Sequence, residues 1–144
     1  MPRMRAAAIS LALMLAGCEV VLVRLPLGEP HVVRYGEKIH LEGPLTLHFT
    51  AVKNESRCPN SPEIRCIWGG SATIELTATT ERASQPLELS LGEPFGSTVN
   101  FDGFEIQLLS LEPYPTGEAP MGDAVDPNFY DAQVLVSRTR TTGA

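Results

Sequence analysis

Cys58 and Cys66 sit inside RCPNSPEIRCIWGG, residues Arg57 to Gly70, and hold two of the chain's three thiols. Such a pair can be a redox couple, half of a metal clip, or a staple across a loop. A redox couple normally reads C-x-x-C, and zinc needs further Cys or His at ligand spacing; eight residues of separation suit neither and fit a loop staple. The choice turns on compartment, because disulfides persist only in an oxidising milieu.

Other side chains around this stretch could bind. Trp68 is the only tryptophan. Beside a disulfide it can pack over the sulfurs as a core plug, or it can form a recognition platform with Arg57 and Arg65, which flank the staple. Asp123, Asp126 and Asp131, with Glu118 nearby, are oxygen donors of the kind Ca2+ collects, but their spacing matches no EF-hand. His31, His40 and His48 are all the histidines; two of them on neighbouring strands could share a metal, and exposed titrating side chains are the plainer reading. No metal or cofactor is therefore assigned. G-x-S-x-G, H-E-x-x-H and S-x-x-K are absent from the sequence, so no catalytic residue is singled out.

The compartment is written at the N-terminus, MPRMRAAAISLALMLAGC. Arg3 and Arg5 give a positive start, and Ala6 to Ala16 is an apolar run interrupted only by Ser10. That is the layout of a secretory signal over residues 1–17, too short for a permanent span. Leu15-Ala16-Gly17-Cys18 resembles the lipobox of bacterial lipoproteins. The resemblance implies cleavage before Cys18, acylation of its sulfur, and a membrane as partner through that lipid. Two or more acyl chains anchor stably, at about 0.8 kcal/mol per buried methylene. In a Gram-negative envelope, Glu19 in place of Asp after the cysteine leans toward the outer membrane. With Cys18 acylated, Cys58 and Cys66 remain to pair with each other, closing a loop worth roughly 2.5 kcal/mol.

Loss of the signal takes two arginines and leaves 127 of 144 residues, nine basic against seventeen acidic, a formal charge of −8. That length supports one domain with a real core. So acidic a chain has no footprint for nucleic acid, and its net charge should hold the domain off an anionic surface.

The elements that must position these residues are strands. Two-residue alternation recurs in Leu45-Leu47-Phe49-Ala51, Ala72-Ile74-Leu76-Ala78, Leu87-Leu89-Leu91, Phe104-Ile106-Leu108 and Tyr130-Ala132-Val134-Val136, with polar residues between. Shorter strands are expected around Val20 to Leu25, Val32 to Tyr35 and Lys38 to Leu41. Asp102-Gly103 between two phenylalanines predicts a type I′ hairpin, and the alternation slips near Leu108 to Leu111, predicting a bulge. The fold class is all-β: a single antiparallel β-sandwich or barrel-like domain of about seven to nine short strands. Residues 18–30 are a lipidated N-terminus that serves as tether or first strand, 31–140 the β domain, and 141–144 a tail. The loop 112–128, rich in proline, is long enough to be functional or disordered.

The segments SRCPNSPEIRCIWGGSATIEL and LLSLEPYP resemble uncharacterised small bacterial secreted proteins and lipoproteins that share R-C-P, C-x-W-x-G and P-Y-P. Cys58, Cys66, Trp68, Gly70, Pro113, Tyr114 and Pro115 are the matching positions, and Gly69 departs from the small residue such as Ala expected there. The resemblance implies an intact domain and a staple and brings no activity. It adds Tyr114 to Arg57, Arg65 and Trp68 as a candidate binding residue. The sequence thus points to a lipid-anchored envelope protein acting as a non-enzymatic binding or structural module with an envelope protein partner or small ligand. The alternatives are a small hydrolase or inhibitor with its site at strand ends, and calcium-dependent binding through the acidic loop.

Overall fold

The computed structural model describes residue 17 and residues 20–92, 97–117 and 126–140. Cys18, Glu118, Asp123, the tail 141–144 and all of the signal but Gly17 lie outside the described residues.

Eight strands form, each where alternation or β-branched runs call for one: β1 (Pro30–Arg34), β2 (Lys38–Leu41), β3 (Leu45–Glu55), β4 (Ala72–Thr79), β5 (Ser84–Leu91), β6 (Thr98–Phe101), β7 (Phe104–Glu112) and β8 (Asp131–Arg138). They make two four-stranded antiparallel sheets, ordered β2-β3-β4-β5 and β1-β8-β7-β6. The sheets stack as a sandwich rather than closing as a barrel, with their inward residues as the core. Leu45, Leu47, Phe49, Ile74, Leu76 and Leu89 from one sheet meet Phe104, Ile106, Leu108, Val134 and Val136 from the other, all at most 2% exposed. Burying each large side chain contributes about 1.5–3 kcal/mol. Tyr35 adds an edge-on contact to Phe49, with ring centroids 5.4 Å apart.

Asp102 and Gly103 both take positive φ, 44° and 83°, and join β6 to β7 as the hairpin expected of that dipeptide. The register of β7 against β8 shifts at Leu109, where the alternation slips. Two further shifts occur in β3 that alternation does not announce. Thr50 is bypassed between Phe49 and Ala51, and its hydroxyl donates to the Glu75 backbone oxygen and carboxylate. Ala51, expected on the core face, is therefore only half-buried, and Val52 packs against the core instead.

Val20 to Val23 form no strand. The chain first pairs at Leu25, through a single parallel bridge to Leu41, so the short strand expected around Val20 to Leu25 does not form.

The two ends of the sandwich differ. At one, Leu25 meets Leu41, the Glu42–Pro44 turn lies against Arg138, and Arg82 pairs with Asp102. At the other, β3 ends at Glu55 opposite Ala72, β5 ends opposite the same residue, and β7 ends at Glu112 opposite Asp131. Cys58, Cys66, Pro113 and Pro115 gather at this second end.

Candidate functional site

The stapled loop leaves β3 at Glu55 and returns to β4 at Ala72. Cys58 and Cys66 are bonded to each other, with Cα atoms 5.9 Å apart. Ladder-like bonds continue past the strand ends, Ser56 N–H to Ser71 O and Cys58 N–H to Gly69 O. This close approach requires glycine: a Cβ on Gly70, whose φ is 69°, would lie 1.7 Å from Ser56 O. The neighbouring turn has the same demand, since a Cβ on Gly92 would lie 2.4 Å from Gly70 O.

Beneath the loop runs a charged network. Arg57 is 9% exposed. Its Nε and Nη2 donate to the two Glu55 carboxylate oxygens at 2.9 and 2.6 Å, Nη1 donates to Leu111 O at 2.8 Å, and Nη2 also reaches Pro113 O at 3.2 Å. Its guanidinium lies 4.7 Å from the Tyr114 ring centroid, within cation–π range. Asn60 N–H donates to Pro115 O. The R-C-P and P-Y-P segments, far apart in sequence, are thus clasped together, with the Glu112–Pro113 peptide in cis.

Tyr130 completes the network, its hydroxyl donating to Glu55 at 3.2 Å. Burial first, and then the Glu55 charge and hydrogen bond, push the Tyr130 phenol up to about 12. For Arg57, burial opposes the charge, but the hydrogen bond and attraction of Glu55 outweigh it and hold the guanidinium above its ordinary value. A fork this fully bonded is a strut and not a free anion receptor.

Above the network lies an open groove of about 950 Å3, walled by Leu91 and Gly92 on one side, Leu109 and Leu111 on the other, and closed by Trp68 and Tyr114. Trp68 is 83% exposed. It is therefore not the core plug over the disulfide, because an indole packed there would be buried. Ile67 beside it is fully exposed. Of the candidate binding residues, Arg57, Trp68 and Tyr114 line the groove, whereas Arg65 is exposed on the loop and does not. Leu91, Leu109 and Leu111 were not singled out from sequence. For Leu109 the slipped alternation at Leu108 to Leu111 is a signal that could have found it, because the bulge turns it out of the core.

Four of the groove's polar side chains, Arg57, Glu112, Ser56 and Ser71, are engaged within the protein. Glu112 accepts the Tyr114 N–H, and Ser56 and Ser71 bond to one another. Elsewhere, Asp126 caps the 3-10 turn Pro127–Phe129 by accepting from Asn128, and Asp131 faces Arg34 across β1 at 4.0 Å. His31 contacts Pro26 O and His40 contacts Thr46. Among the described residues, no three His, Cys, Asp or Glu side chains converge as a metal site, and no helix is long and apolar enough to cross a membrane.

Comparison with protein families, with curated proteins and with solved structures gives no match for this chain.

Proposed function

We propose that this chain is a lipid-anchored bacterial envelope protein whose role is non-enzymatic binding, with the groove at the disulfide end as its recognition surface and an envelope protein as its partner. The observation that carries this reading is an exposed tryptophan–isoleucine pair at the lip of an apolar groove, mounted on a loop that a disulfide and a buried ion pair hold still. Exposed aromatic anchors beside apolar pockets are where association free energy concentrates. Rigid mounting lowers the ordering cost of binding.

A protein partner fits better than a small ligand. Small-molecule sites orient their ligands with a few free, well-placed polar groups, and here Arg57, Glu112, Ser56 and Ser71 spend theirs internally. Hydrolysis is supported less, since among the described residues Glu112 is the one carboxylate lining the groove. The lipid at Cys18 would confine the domain to a surface and raise its effective concentration toward neighbours there.

The test is site-specific photocrosslinking of the full-length protein in its own cells. A photoreactive side chain at Ile67 should give a discrete adduct that Trp68→Ala abolishes, while the same group at Glu88, on the outer face of β5, gives none. A smear from both positions, or an Ile67 adduct indifferent to Trp68→Ala, would sink the assignment of the groove.

A further inference from the structure

Val20, Val21, Leu22 and Val23 are 89%, 81%, 50% and 76% exposed. Four consecutive apolar side chains at least half exposed mark a contact surface, and Cys18 lies two residues before the first of them. Seven residues beyond Cys18, the polypeptide is pinned: Leu25 N–H donates to His40 O and Glu42 N–H donates to Leu25 O, while Arg24 reaches Leu41 O. Extended chain covers at most about 3.3–3.6 Å per residue, so an acylated Cys18 keeps Leu25 within roughly 25 Å of the lipid surface.

Leu25 enters at the end of the sandwich opposite the groove. It bridges to Leu41, which pairs with Leu45 at the start of β3, whereas the groove lies beyond Glu55 at the other end of that strand. Eleven residues of strand separate the two ends by roughly 30 Å. The end near the tether carries little of the acid surplus of the whole chain: Arg24, Arg82, Arg138 and Arg140 stand there against Glu29, Glu42, Glu81, Asp102 and Glu105, four bases against five acids. Its approach to an anionic bilayer is opposed far less than net charge alone suggests, and the opposition is confined to about a Debye length of 10 Å at 0.1 M salt.

We infer that Val20–Val23 lies in the interfacial layer of the bilayer holding the Cys18 lipid, and that the domain stands on its Leu25 end with the groove turned away. This rests on the lipid-anchor reading above and sharpens it: whatever fills the groove arrives from the aqueous phase and not from the lipids of the protein's own membrane. The tether is apolar enough to remain at the interface and too short to let the groove reach the bilayer without tipping the domain over.

Because Trp68 is the only tryptophan, the full-length processed protein can report its own orientation in phosphatidylethanolamine–phosphatidylglycerol vesicles carrying nitroxide headgroups. The expected result is co-flotation with the vesicles, Trp68 emission unchanged by the nitroxide, and full quenching by aqueous acrylamide. The double variant Val21→Trp, Trp68→Phe should show the reverse, with several-fold quenching by the nitroxide and blue-shifted emission. Nitroxide quenching of Trp68 would overturn the orientation. An indole at position 21 shielded from acrylamide and nitroxide alike would mean burial against a second copy of the chain and would also overturn it. Failure to float would remove the lipid anchor itself, and this inference with it.

Discussion

Arg57 joins the parts of this protein that carry its sequence motifs, and its contacts explain why the change to any other cation is not conservative. It spans Glu55, Leu111 O and Pro113 O with one planar fork, a geometry that the single ammonium of lysine cannot reproduce. Removing one member of a buried pair leaves the other charge uncompensated, at a cost of about 3–5 kcal/mol. Arg57→Met should therefore lower the thermal midpoint by roughly 4 °C per kcal/mol lost, and Arg57→Lys should recover only part of it; a melt within error of wild type for Arg57→Met would refute the strut. Tyr130 gives the alkaline counterpart. Its phenol is pushed up to about 12 from an ordinary 10.0, by burial and by Glu55. The unfolded chain therefore loses this proton first, so the stabilisation is complete below pH 10 and disappears as pH rises toward 12. Ultraviolet titration should find one of the three tyrosines ionising last, and Tyr130→Phe should remove that step and flatten the loss of stability between pH 10 and 12. Three tyrosines ionising together would contradict it.

Among the elements, the strands were legible from alternation and the loops were not. Ala72-Ile74-Leu76-Ala78 and Tyr130-Ala132-Val134-Val136 point to the core as their period requires, because a strand buried on one face has its register fixed by that face. Alternation fails where a bulge inserts a residue, as at Thr50, whose hydroxyl finds Glu75 on the next strand, a partner invisible to local pattern. The stapled loop was legible as a staple from cysteine spacing, and the bond is present. Trp68 was not legible as exposed, because the position of a loop side chain follows from contacts such as Gly70 against Ser56 that join distant segments. For the same reason Glu55 and Tyr130, separated by most of the domain, gave no sign of meeting. The bond itself closes a short loop whose loss should cost about 2–3 kcal/mol. The paired substitution Cys58→Ala, Cys66→Ala should lower the midpoint accordingly and weaken partner capture through Ile67, since the loop no longer holds the groove's lip. An unchanged melt would show that the loop is held by its backbone bonds alone.

Over the whole molecule, the two ends of the sandwich differ. One end carries the exposed apolar residues Val20–Val23 and the Leu25–Leu41 bridge; the other carries the staple, the Arg57 clasp and the groove. The proposed role follows from that polarity: lipid at Cys18 fixes the location, and Trp68 meets a partner in the aqueous space beyond. The measurement that bears most directly on this account is detergent-phase partitioning of the full-length protein made in its own cells, compared with Cys18→Ser. Wild type should enter the detergent phase and Cys18→Ser should remain in the aqueous phase with an unaltered melt. Equal partitioning of the two proteins, in either phase, would contradict the account.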